Sequence, residues 1–538
     1  MTNELTVLKK LKEDEAKDDL VAAAEGHAVQ IVSIGSEENQ YAFTYHEESL
    51  KSILAKIQPS TCKVAVISVV GAFRTGKSFL LSWFLRYLAH STTTTTDAAN
   101  TTTSTTTPWY QSFESLGNDQ GFQWRGGEER NTTGIWAWSE PFLLPCTTTT
   151  TTQGETSTET IAVLLVDTQG MFDHETTMSL TAAIFGLSTL LSSYQIYNVD
   201  KRIQEDHLQQ LALFSEYGRL AMQRQQQQQK DQEEPNSSTT NNKEHVQDQV
   251  EPKLVEEDTV DGYTNTSNMT MKNSPPFQKI EFLVRDWQNF EAEEIGEEIF
   301  AEMDRYLQRV LQEREARDLK DTREQISSCF QSISCFLLSH PGFAVTKKKY
   351  TGDVKVVDDF FLQLLDTYCR RVFSPQSLRP KVIHGRELTA AELGAYIQAY
   401  ASLFEHGANF PDTGTMLEAT SSANNANAIS LSVQKYKGEM DSIAGPSQVQ
   451  YVKPTELEME HTRLLQSSLA LFQDMADFGS QRSIQLAREK VLNEIDGSFR
   501  LYEKLNESRN PLMGFEMYDI FWCFFLVYKP LVVVLHNY

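Results

Sequence analysis

Short apolar runs alternate with amphipathic stretches along the first two thirds of the chain. Four runs have the length and the β-branched content of buried strands: Val64–Val70, Ile161–Val166, Ile280–Val284 and Ile333–Leu338. An earlier pair of runs has the spacing of a hairpin at a sheet edge: Val29–Ile34 and Tyr41–Thr44. Helical patterns occupy Ser78–Leu88, Leu180–Tyr194, Gln204–Met222 and Ala301–Phe330. Strands that alternate with helices predict a mainly parallel sheet with helices on both faces.

After about Tyr350 the strand pattern fades and helical spacing replaces it. Core-type residues recur every three or four positions in two runs: Leu457, His461, Leu464, Ser468, Leu471, Met475 and Phe478, then Ile484, Ala487, Val491, Ile495, Phe499, Tyr502 and Leu505. Thr455 and Glu458 predict a capping box at the start of the first helix. Gly445-Pro446 and Pro454 predict a linker before that helix. We therefore expect two packed helices of a bundle.

Three stretches have the composition of insertions. Ser91–Thr107 and Thr147–Thr160 are rich in Thr, and the stretch from about Gln223 to Pro276 holds Gln225–Gln229 and many charges. Such segments cannot bury enough apolar surface to offset the entropy lost on ordering. We expect all three to be disordered surface loops.

Composition narrows the class of protein. A chain of 538 residues with 40% hydrophobic residues predicts two or three domains. The formal net charge of −25 argues against nucleic-acid binding, which rests on Lys and Arg. The N-terminus lacks the apolar run of a signal peptide. Six cysteines without a CxxC pair fit a reducing compartment: Cys62, Cys146, Cys329, Cys335, Cys369 and Cys523.

The segment Gly71–Ser78 fits the pattern G-x-x-x-x-G-K-[ST]. A β-branched strand precedes it and an amphipathic helix follows it, which is the context of a phosphate-binding P-loop. Its glycines let backbone N–H groups face phosphate oxygens, and the helix N-terminus adds a favourable partial charge. We expect Lys77 to reach the β- and γ-phosphates and the Ser78 hydroxyl to ligate Mg²⁺.

Two further segments belong with the P-loop. Asp167-Thr-Gln-Gly170 ends a predicted strand about ninety residues later, where a carboxylate can hold Mg²⁺ through water and Gly170 can offer its N–H to the γ-phosphate. Thr132 and Thr133 lie in a polar loop between the two motifs. A threonine in such a loop can complete the Mg²⁺ shell when a γ-phosphate is present, which makes the loop a candidate switch.

The base-recognition motif N-K-x-D is absent from the chain. Instead, Arg285-Asp286 follows the predicted strand Ile280–Val284. A carboxylate accepts hydrogen bonds from both N1 and N2 of guanine, a pairing that adenine cannot make. The dipeptide alone favours an ordinary surface ion pair, but its place at the end of the third core strand favours the guanine interpretation.

Together these motifs resemble the atlastins, a family in the dynamin-related superfamily of large GTPases. The motifs are G-A-F-R-x-G-K-S-F at Gly71–Phe79, G-F-x-W-R-G-G at Gly121–Gly127, T-T-G-I at Thr132–Ile135, D-T-Q-G at Asp167–Gly170, F-L-V-R-D-W at Phe282–Trp287 and H-P-G at His340–Gly342. Guanylate-binding proteins share the P-loop arginine and the Arg-Asp dipeptide. The Asp-Thr-Gln-Gly form and the Gly121–Gly127 stretch favour the atlastins.

The resemblance implies an α/β P-loop GTPase domain, with a mainly parallel sheet, followed by an all-α helical-bundle middle domain. We therefore expect a disordered N-terminus at 1–26, a GTPase domain at 27–372 with insertions near 91–107, 147–160 and 223–276, a helical domain at 373–510 and an apolar segment at 511–538. It also implies GTP hydrolysis, nucleotide-dependent homodimerisation, tethering and homotypic fusion of endoplasmic reticulum membranes. The expected partners are GTP or GDP, a second copy of the chain and the cytosolic face of that membrane.

The resemblance further assigns roles to individual residues. Arg74 would be an arginine finger acting in cis, with Lys77 and Thr132 also catalytic, and Thr132 would bind Mg²⁺ together with Ser78 and Asp167. Gln169 would lie near the ribose or base, and Arg285 and Asp286 would read guanine under a loop around Val345. The remaining nucleotide contacts would come from Gly71, Thr75, Gly76, Phe79 and Gly170.

The C-terminal segment departs from the family pattern. Residues Ile520–Leu535 are apolar but Lys529-Pro530 interrupts them, and the run is shorter than the roughly 20 residues that a bilayer core needs. We expect weak or monotopic membrane association through residues 515–538. The alternatives are a soluble GTPase of guanylate-binding type and a GTP-dependent scaffold that does not hydrolyse.

Overall fold

The computed structural model describes most of the chain in segments. The described residues are 26–35, 42–97, 108–113, 116, 121–124, 132–149, 156–171, 178–212, 275–291, 294–383, 385–405, 413–476 and 479–510. They group into two compact units that divide between Met416 and Leu417.

The first unit is built on a nine-stranded sheet. Its strands are β1 (Ala28–Gly35), β2 (Ala42–Tyr45), β3 (Lys63–Gly71), β4 (Ile135–Trp138), β5 (Phe142–Thr149), β6 (Thr156–Thr168), β7 (Tyr194–Asp200), β8 (Phe277–Arg285) and β9 (Phe330–Leu337). Two short strands form a separate hairpin: β10 (Val382–Ile383) and β11 (Arg386–Glu387).

The strand order is β2-β1-β4-β6-β3-β7-β8-β9, and β5 pairs with β6 beside this path. The pairs among β6, β3, β7, β8 and β9 are parallel. The four apolar runs predicted β3, β6, β8 and β9 of this parallel sheet, but not β7. The predicted edge hairpin is confirmed, because β1 and β2 pair antiparallel at one end of the sheet. The parallel strands end at a common edge, where ligands of open α/β sheets bind.

Among the described residues, 205–212 are helical, within the predicted helix Gln204–Met222, whose residues after 212 lie outside the described part. Seven further helices accompany this sheet. They are α1 (Glu47–Leu54), α2 (Lys77–Asp97), α3 (Met178–Leu191), α4 (Glu297–Leu311), α5 (Arg317–Cys329), α6 (Asp359–Val372) and α7 (Ala390–Glu405). Every residue of β3 after Lys63 is buried, so helices must cover both faces of the sheet. Alternate residues of β3, such as Ile67 and Val69, join one large core with Leu80 and Phe84 of α2.

Two element predictions were wrong. We expected one helix over Ala301–Phe330, but α4 and α5 are separate helices and Phe330 opens β9. We ended the helix before β7 at Tyr194, whereas Tyr194 is the first residue of β7. All of β7 up to Val199 is buried, so its residues do not alternate between apolar and polar, and periodicity does not separate it from the helix before it.

The Thr-rich stretches are partly regular structure. Helix α2 continues to Asp97, and β5 and β6 pair as far as Thr149 and Thr156. The expectation of disordered loops was therefore wrong for residues 91–97, 147–149 and 156–160. Threonine is β-branched, and such residues favour strands once a pairing partner is present. The rest of the first two stretches, and residues 223–274 of the third, lie outside the described residues.

The second unit is helical, with α8 (Thr413–Ala444), α9 (Pro454–Met475) and α10 (Gln481–Glu507). Both predicted helices are confirmed, with a core that contains Tyr436, Leu464, Phe472, Val491 and Ile495. The predicted linker lies between α8 and α9. The predicted capping box was wrong, because α9 begins at Pro454 with Lys453 as its N-cap residue and Thr455 inside its first turn.

The limits predicted for the domains, 27–372 and 373–510, stay predictions. Helix α7 lies after that boundary and contacts β2 and α1 of the first unit, where the Glu405 carboxylate accepts from the Tyr45 N–H at 2.7 Å. Residues 1–25 and 511–538 lie outside the described residues. Within the described part of the chain, no helix has both the length and the hydropathy to cross a membrane.

Candidate functional site

The loop between β3 and α2 has the backbone that its two glycines require. Gly71 has φ +152° and Gly76 has φ +79°, values that side-chain-bearing residues rarely adopt. A Cβ atom at Gly71 would lie 2.2 Å from the backbone oxygen of Asn198 on β7. Only glycine therefore allows β7 to pass this close to the loop.

Two basic residues of the loop differ in their surroundings. Lys77 is buried, and its Nζ donates to the Ala72 carbonyl oxygen at 3.1 Å. Arg74 is exposed and has φ +64°, an uncommon backbone conformation for a residue with a side chain. Its guanidinium lies 5.7 Å from the centre of the Phe73 ring.

Three side chains that are far apart in sequence meet beside this loop. The Ser78 hydroxyl at the start of α2 donates to Asp167 Oδ2 at 2.5 Å. Thr132 Oγ1 lies 3.2 Å from Ser78 Oγ and 3.5 Å from Asp167 Oδ2. The structure therefore brings together all three residues predicted to bind a metal.

Asp167 is buried near the end of β6. Burial raises the pKa of Asp167 to about 6, although nearby Lys77 and the hydrogen bond from Ser78 act in the opposite direction. Its second oxygen, Oδ1, is buried and has no hydrogen-bond partner in the part of the chain that the structure describes. A buried carboxylate with an unpaired oxygen is unfavourable by itself, so the site is suited to a cation.

These residues fit Mg²⁺. Hydroxyl and carboxylate oxygens are the donors that Mg²⁺ prefers, and it usually keeps several waters and binds substrate phosphates as well. No cluster of three or more His, Cys, Asp or Glu suited to a metal occurs among the described residues. A metal at this site would therefore be held by Ser78, Thr132 and Asp167 jointly with the nucleotide.

Residues 169–170 link the site to β4. Gly170 passes so close to the P-loop that a Cβ there would lie 2.5 Å from the Phe73 Cα. The Gln169 side chain is buried, and its Oε1 accepts from the Gly134 N–H at 2.9 Å, while the Gln169 N–H donates to the Gly134 carbonyl at 2.8 Å.

The strand order separates Gln169 from Asp286. Gln169 follows β6, whereas Asp286 follows β8, and the strands β3 and β7 lie between β6 and β8. Strands in a sheet are about 4.8 Å apart, so the two strand ends are roughly 14 Å apart. The role of Gln169 near the ribose or base stays a prediction.

Phe79, predicted to contact the nucleotide, has a buried side chain. Its ring centre lies 6.0 Å from that of Trp83 and 5.1 Å from that of Trp124. Phe79 therefore packs the first turn of α2 against the core, and its contact with a nucleotide stays a prediction.

The residues predicted to recognise the base occupy the other end of the site. Arg285 is buried, burial lowers its pKa, and its Nη1 lies 3.4 Å from the Gly76 carbonyl oxygen. Asp286 is partly exposed and has φ +57°. Val345 lies in the turn after β9, where its N–H donates to the Gly342 carbonyl at 3.2 Å. Arg285 thus contacts the P-loop, and Asp286 marks the end of β8.

Asn198 was not among the residues predicted from the sequence. Its Nδ2 lies 2.8 Å from both the carbonyl oxygen and the hydroxyl of Thr75 in the P-loop. Its only signal in the sequence is a polar residue between Tyr197 and Val199, in a strand that was itself not predicted.

Comparison with known proteins agrees with this geometry. Residues 41–246 and 244–382 match the family described as guanylate-binding protein, N-terminal domain. Atlastin-1 of Rattus norvegicus is 32% identical over 476 residues, which cover 88% of this chain and 72% of the relative. Atlastin of Drosophila melanogaster is 32% identical over 495 residues, with coverage of 90% and 76%. Atlastin-2 of Homo sapiens is 31% identical over 517 residues, with coverage of 94% and 75%. The chain therefore belongs to the atlastin family of GTP-binding, GTP-hydrolysing enzymes, and its first unit carries a GTPase domain of the guanylate-binding type.

Proposed function

We propose that this GTPase hydrolyses GTP with Mg²⁺ at the cluster of Ser78, Thr132 and Asp167. We further propose that the hydrolysis cycle drives homodimerisation, tethering and homotypic fusion of endoplasmic reticulum membranes. One observation supports the first part above all others. Oxygens of Ser78, Thr132 and Asp167 from three separate segments converge within 3.5 Å beside the buried Lys77. The other Asp167 oxygen, Oδ1, has no hydrogen-bond partner among the described residues.

The P-loop supplies the groups that bind phosphate. Backbone N–H groups of Gly71–Ser78 face the phosphates, and Lys77 exchanges its contact with the Ala72 carbonyl for the β- and γ-phosphates. Mg²⁺, when bound, neutralises charge that develops on the phosphates. Arg74 is exposed at the same loop and approaches the transferring phosphoryl group as an arginine finger.

The switch is proposed to centre on Thr132–Gly134. Thr132 faces the phosphate side, while the Thr133 carbonyl accepts from Gln30 Nε2 of β1 at 2.9 Å. Gly134 exchanges two hydrogen bonds with Gln169. A γ-phosphate that draws Thr132 inward therefore pulls on both β1 and Gln169. The switch loop was predicted at Gly126–Gly134, and its residues 126–131 lie outside the described residues.

The hydrolytic role is tested by measuring steady-state GTP hydrolysis with and without Mg²⁺ for the wild type and Thr132→Ala. We expect no turnover without the metal. We also expect turnover by Thr132→Ala to fall at least about 100-fold, because one ligand and the switch contact are lost together. Thr133→Ala is the matched control, since the contact of Thr133 with Gln30 uses the backbone carbonyl. Equal rates for Thr132→Ala and Thr133→Ala would contradict the assignment.

Homodimerisation is tested on the fragment 1–505 by multi-angle light scattering. We expect a monomer without nucleotide and a dimer with GDP and aluminium fluoride, a mimic of the transition state. The Lys77→Ala variant of the fragment should stay monomeric in both conditions, because it lacks the phosphate contact. A monomeric wild-type fragment in both conditions would contradict nucleotide-dependent dimerisation.

Membrane association is tested by liposome flotation of the full chain and of its truncation to residues 1–514. We expect the full chain to float and the truncation to stay in the soluble fraction, because residues 515–538 carry Phe521, Trp522, Phe524 and Phe525. If both stay soluble, membrane fusion by this chain is contradicted and a soluble GTPase of guanylate-binding type is favoured.

A further inference from the structure

Asn198 belongs to β7 but enters the P-loop from the neighbouring strand. The parallel register pairs Gly71 of β3 with Asn198, so its side chain starts directly behind the loop. The residue is 0% exposed. Its Nδ2 lies 2.8 Å from the Thr75 carbonyl oxygen and 2.8 Å from Thr75 Oγ1.

The contact extends across the loop through a chain of hydrogen bonds. The Thr75 hydroxyl donates to the Ala72 carbonyl oxygen at 2.9 Å, and the same oxygen accepts from Lys77 Nζ at 3.1 Å. A hydroxyl has one proton to donate. Because that proton goes to Ala72, Thr75 Oγ1 must accept from Asn198, which fixes the orientation of the amide.

This chain of hydrogen bonds encloses the turn that carries Arg74. Arg74 has φ +64°, a conformation that persists only when its surroundings enforce it. Thr75 is the next residue, and Asn198 holds both of its oxygens. We infer that Asn198 is a positioning residue that holds the Arg74–Thr75 turn in the conformation required for phosphoryl transfer. This inference rests on the proposed role of Arg74.

The surroundings of Asn198 Oδ1 argue that the residue does more than fill space. This oxygen is buried, and none of the described residues forms a hydrogen bond with it. A buried amide with an unpaired oxygen is unfavourable compared with an apolar side chain of the same shape. The donor half of the amide is the part that the P-loop uses.

The first experiment compares Asn198→Asp with Gln195→Glu, the same change on the same strand. Gln195 is also buried, but its Nε2 lies 2.9 Å from Thr189 Oγ1 of α3, away from the P-loop. In Asn198→Asp a carboxylate replaces the donor and faces the Thr75 oxygens. We expect kcat for GTP to fall about 10- to 100-fold with KM changed less than about 3-fold. For Gln195→Glu we expect kcat within about 2-fold of the wild type.

A second experiment repeats Asn198→Asp in an Arg74→Ala background. If Asn198 acts through Arg74, the added change lowers kcat less than about 3-fold there. A full 10- to 100-fold further loss would overturn the inference, as would equal losses of kcat by Asn198→Asp and Gln195→Glu. Wild-type turnover by Arg74→Ala alone would instead contradict the proposed role of Arg74, so the two failures are distinguishable.

If Asn198→Asp does not fold, Thr75→Val tests the same chain of hydrogen bonds without changing Asn198. It removes the hydroxyl while keeping the shape of the side chain. We expect Thr75→Val to have a lower kcat than Thr75→Ser at similar nucleotide affinity, measured with a fluorescent GDP analogue. Equal kcat for these two variants would show that the hydrogen-bond chain does not position the turn and would overturn the inference.

Discussion

Two buried carboxylates in one sheet have opposite surroundings. Asp167 near the end of β6 is 1% exposed, and Glu281 in the middle of β8 is 0% exposed. The Glu281 oxygens accept from Tyr194 Oη and Ser334 Oγ, each at 2.7 Å, and pair with Arg371 Nη2 at 2.9 Å. Asp167 keeps one oxygen without a partner.

The charges around each group explain its pKa. Burial raises the pKa of Glu281, but Arg371, Lys279 and the hydrogen bonds outweigh burial, and the net pKa is lowered. At Asp167 the same effect of burial prevails, and its pKa rises to about 6. A buried carboxylate whose oxygens all have hydrogen-bond or ion-pair partners stabilises the fold. A buried carboxylate that lacks such partners, at the carboxyl end of a parallel strand, is suited to bind a ligand.

The largest expected effect distinguishes Arg74 of the P-loop from Arg371, the ion-pair partner of Glu281. We expect Arg74→Ala to lower kcat by roughly 10³–10⁵, the contribution of an arginine finger, with little change in unfolding free energy. We expect Arg371→Ala to lower the free energy of unfolding by about 3 kcal/mol, because Glu281 loses its cation. Hydrolysis assays and urea unfolding measure both variants. A large loss of unfolding free energy in Arg74→Ala would contradict the expected difference between a catalytic Arg74 and a structural Arg371.

The next effect comes from exchanging each carboxylate for its amide. Asp167→Asn should lower kcat/KM at least about 100-fold, near 3 kcal/mol, while keeping the stability of the nucleotide-free protein. Glu281→Gln should lower unfolding free energy by about 2 kcal/mol and leave kcat within about 3-fold of the wild type. The same two assays apply. The comparison fails if the two variants lose activity to the same degree.

Lys381 makes the stability of the protein depend on pH, because it is a buried lysine with no ion-pair partner among the described residues. It is buried, its Nζ donates to the Ser192 carbonyl at 2.8 Å, and burial lowers its pKa from 10.5 to about 7. Between those two values the unfolded chain binds one more proton than the folded protein. Stability from this residue is therefore lowest below pH 7 and rises with pH.

Lys381→Met isolates this effect. The unfolding free energy of the wild type, measured relative to Lys381→Met, should rise by about 2 kcal/mol between pH 7 and pH 9. Urea unfolding of both proteins across this range is the measurement. A difference that stays constant with pH would mean that Lys381 remains charged in the folded protein.

The phosphate half of the site was predictable because its residues belong to local motifs. Lys77 and Ser78 begin α2 directly after the loop that follows β3, and Asp167 lies near the end of β6. In a parallel sheet those ends meet at one edge, so strand assignment and motif position suffice. Thr132 was predicted from its place between the two motifs and from the family resemblance.

The rest depends on contacts between distant segments. The pairing of β3 with β7 brings Asn198 to the P-loop, and the pairing of β7, β8 and β9 brings Tyr194 and Ser334 to Glu281, which no local pattern encodes. The buried side chain of Gln169 likewise depends on a distant segment, because its Oε1 accepts from the N–H of Gly134, 35 residues earlier. The Thr-rich hairpin formed because a strand already in the sheet offered a partner, which composition alone does not reveal.

Asp286 is a third carboxylate, and it gives the smallest expected effect. It follows β8, is partly exposed and has φ +57°. Asparagine adopts this conformation readily, so Asp286→Asn changes the chemistry of the side chain without straining the backbone. Alanine would combine both effects and is the less informative variant.

The guanine base offers donors at N1 and N2, and the Asp286 carboxylate offers two acceptors. In Asp286→Asn one acceptor becomes an amide donor, which faces a donor of guanine. We expect GTP affinity to fall by about 1–2 kcal/mol, roughly 5- to 30-fold, with ATP affinity unchanged. Xanthosine triphosphate carries an oxygen in place of the N2 amino group, so the variant should bind it more tightly than the wild type does. Titration of both proteins with the three nucleotides measures these differences. All three nucleotides carry the same phosphates, so an equal loss of affinity for all three would give Asp286 a structural role like that of Glu281. A loss of affinity for GTP alone, with a gain for xanthosine triphosphate, would place Asp286 against the base.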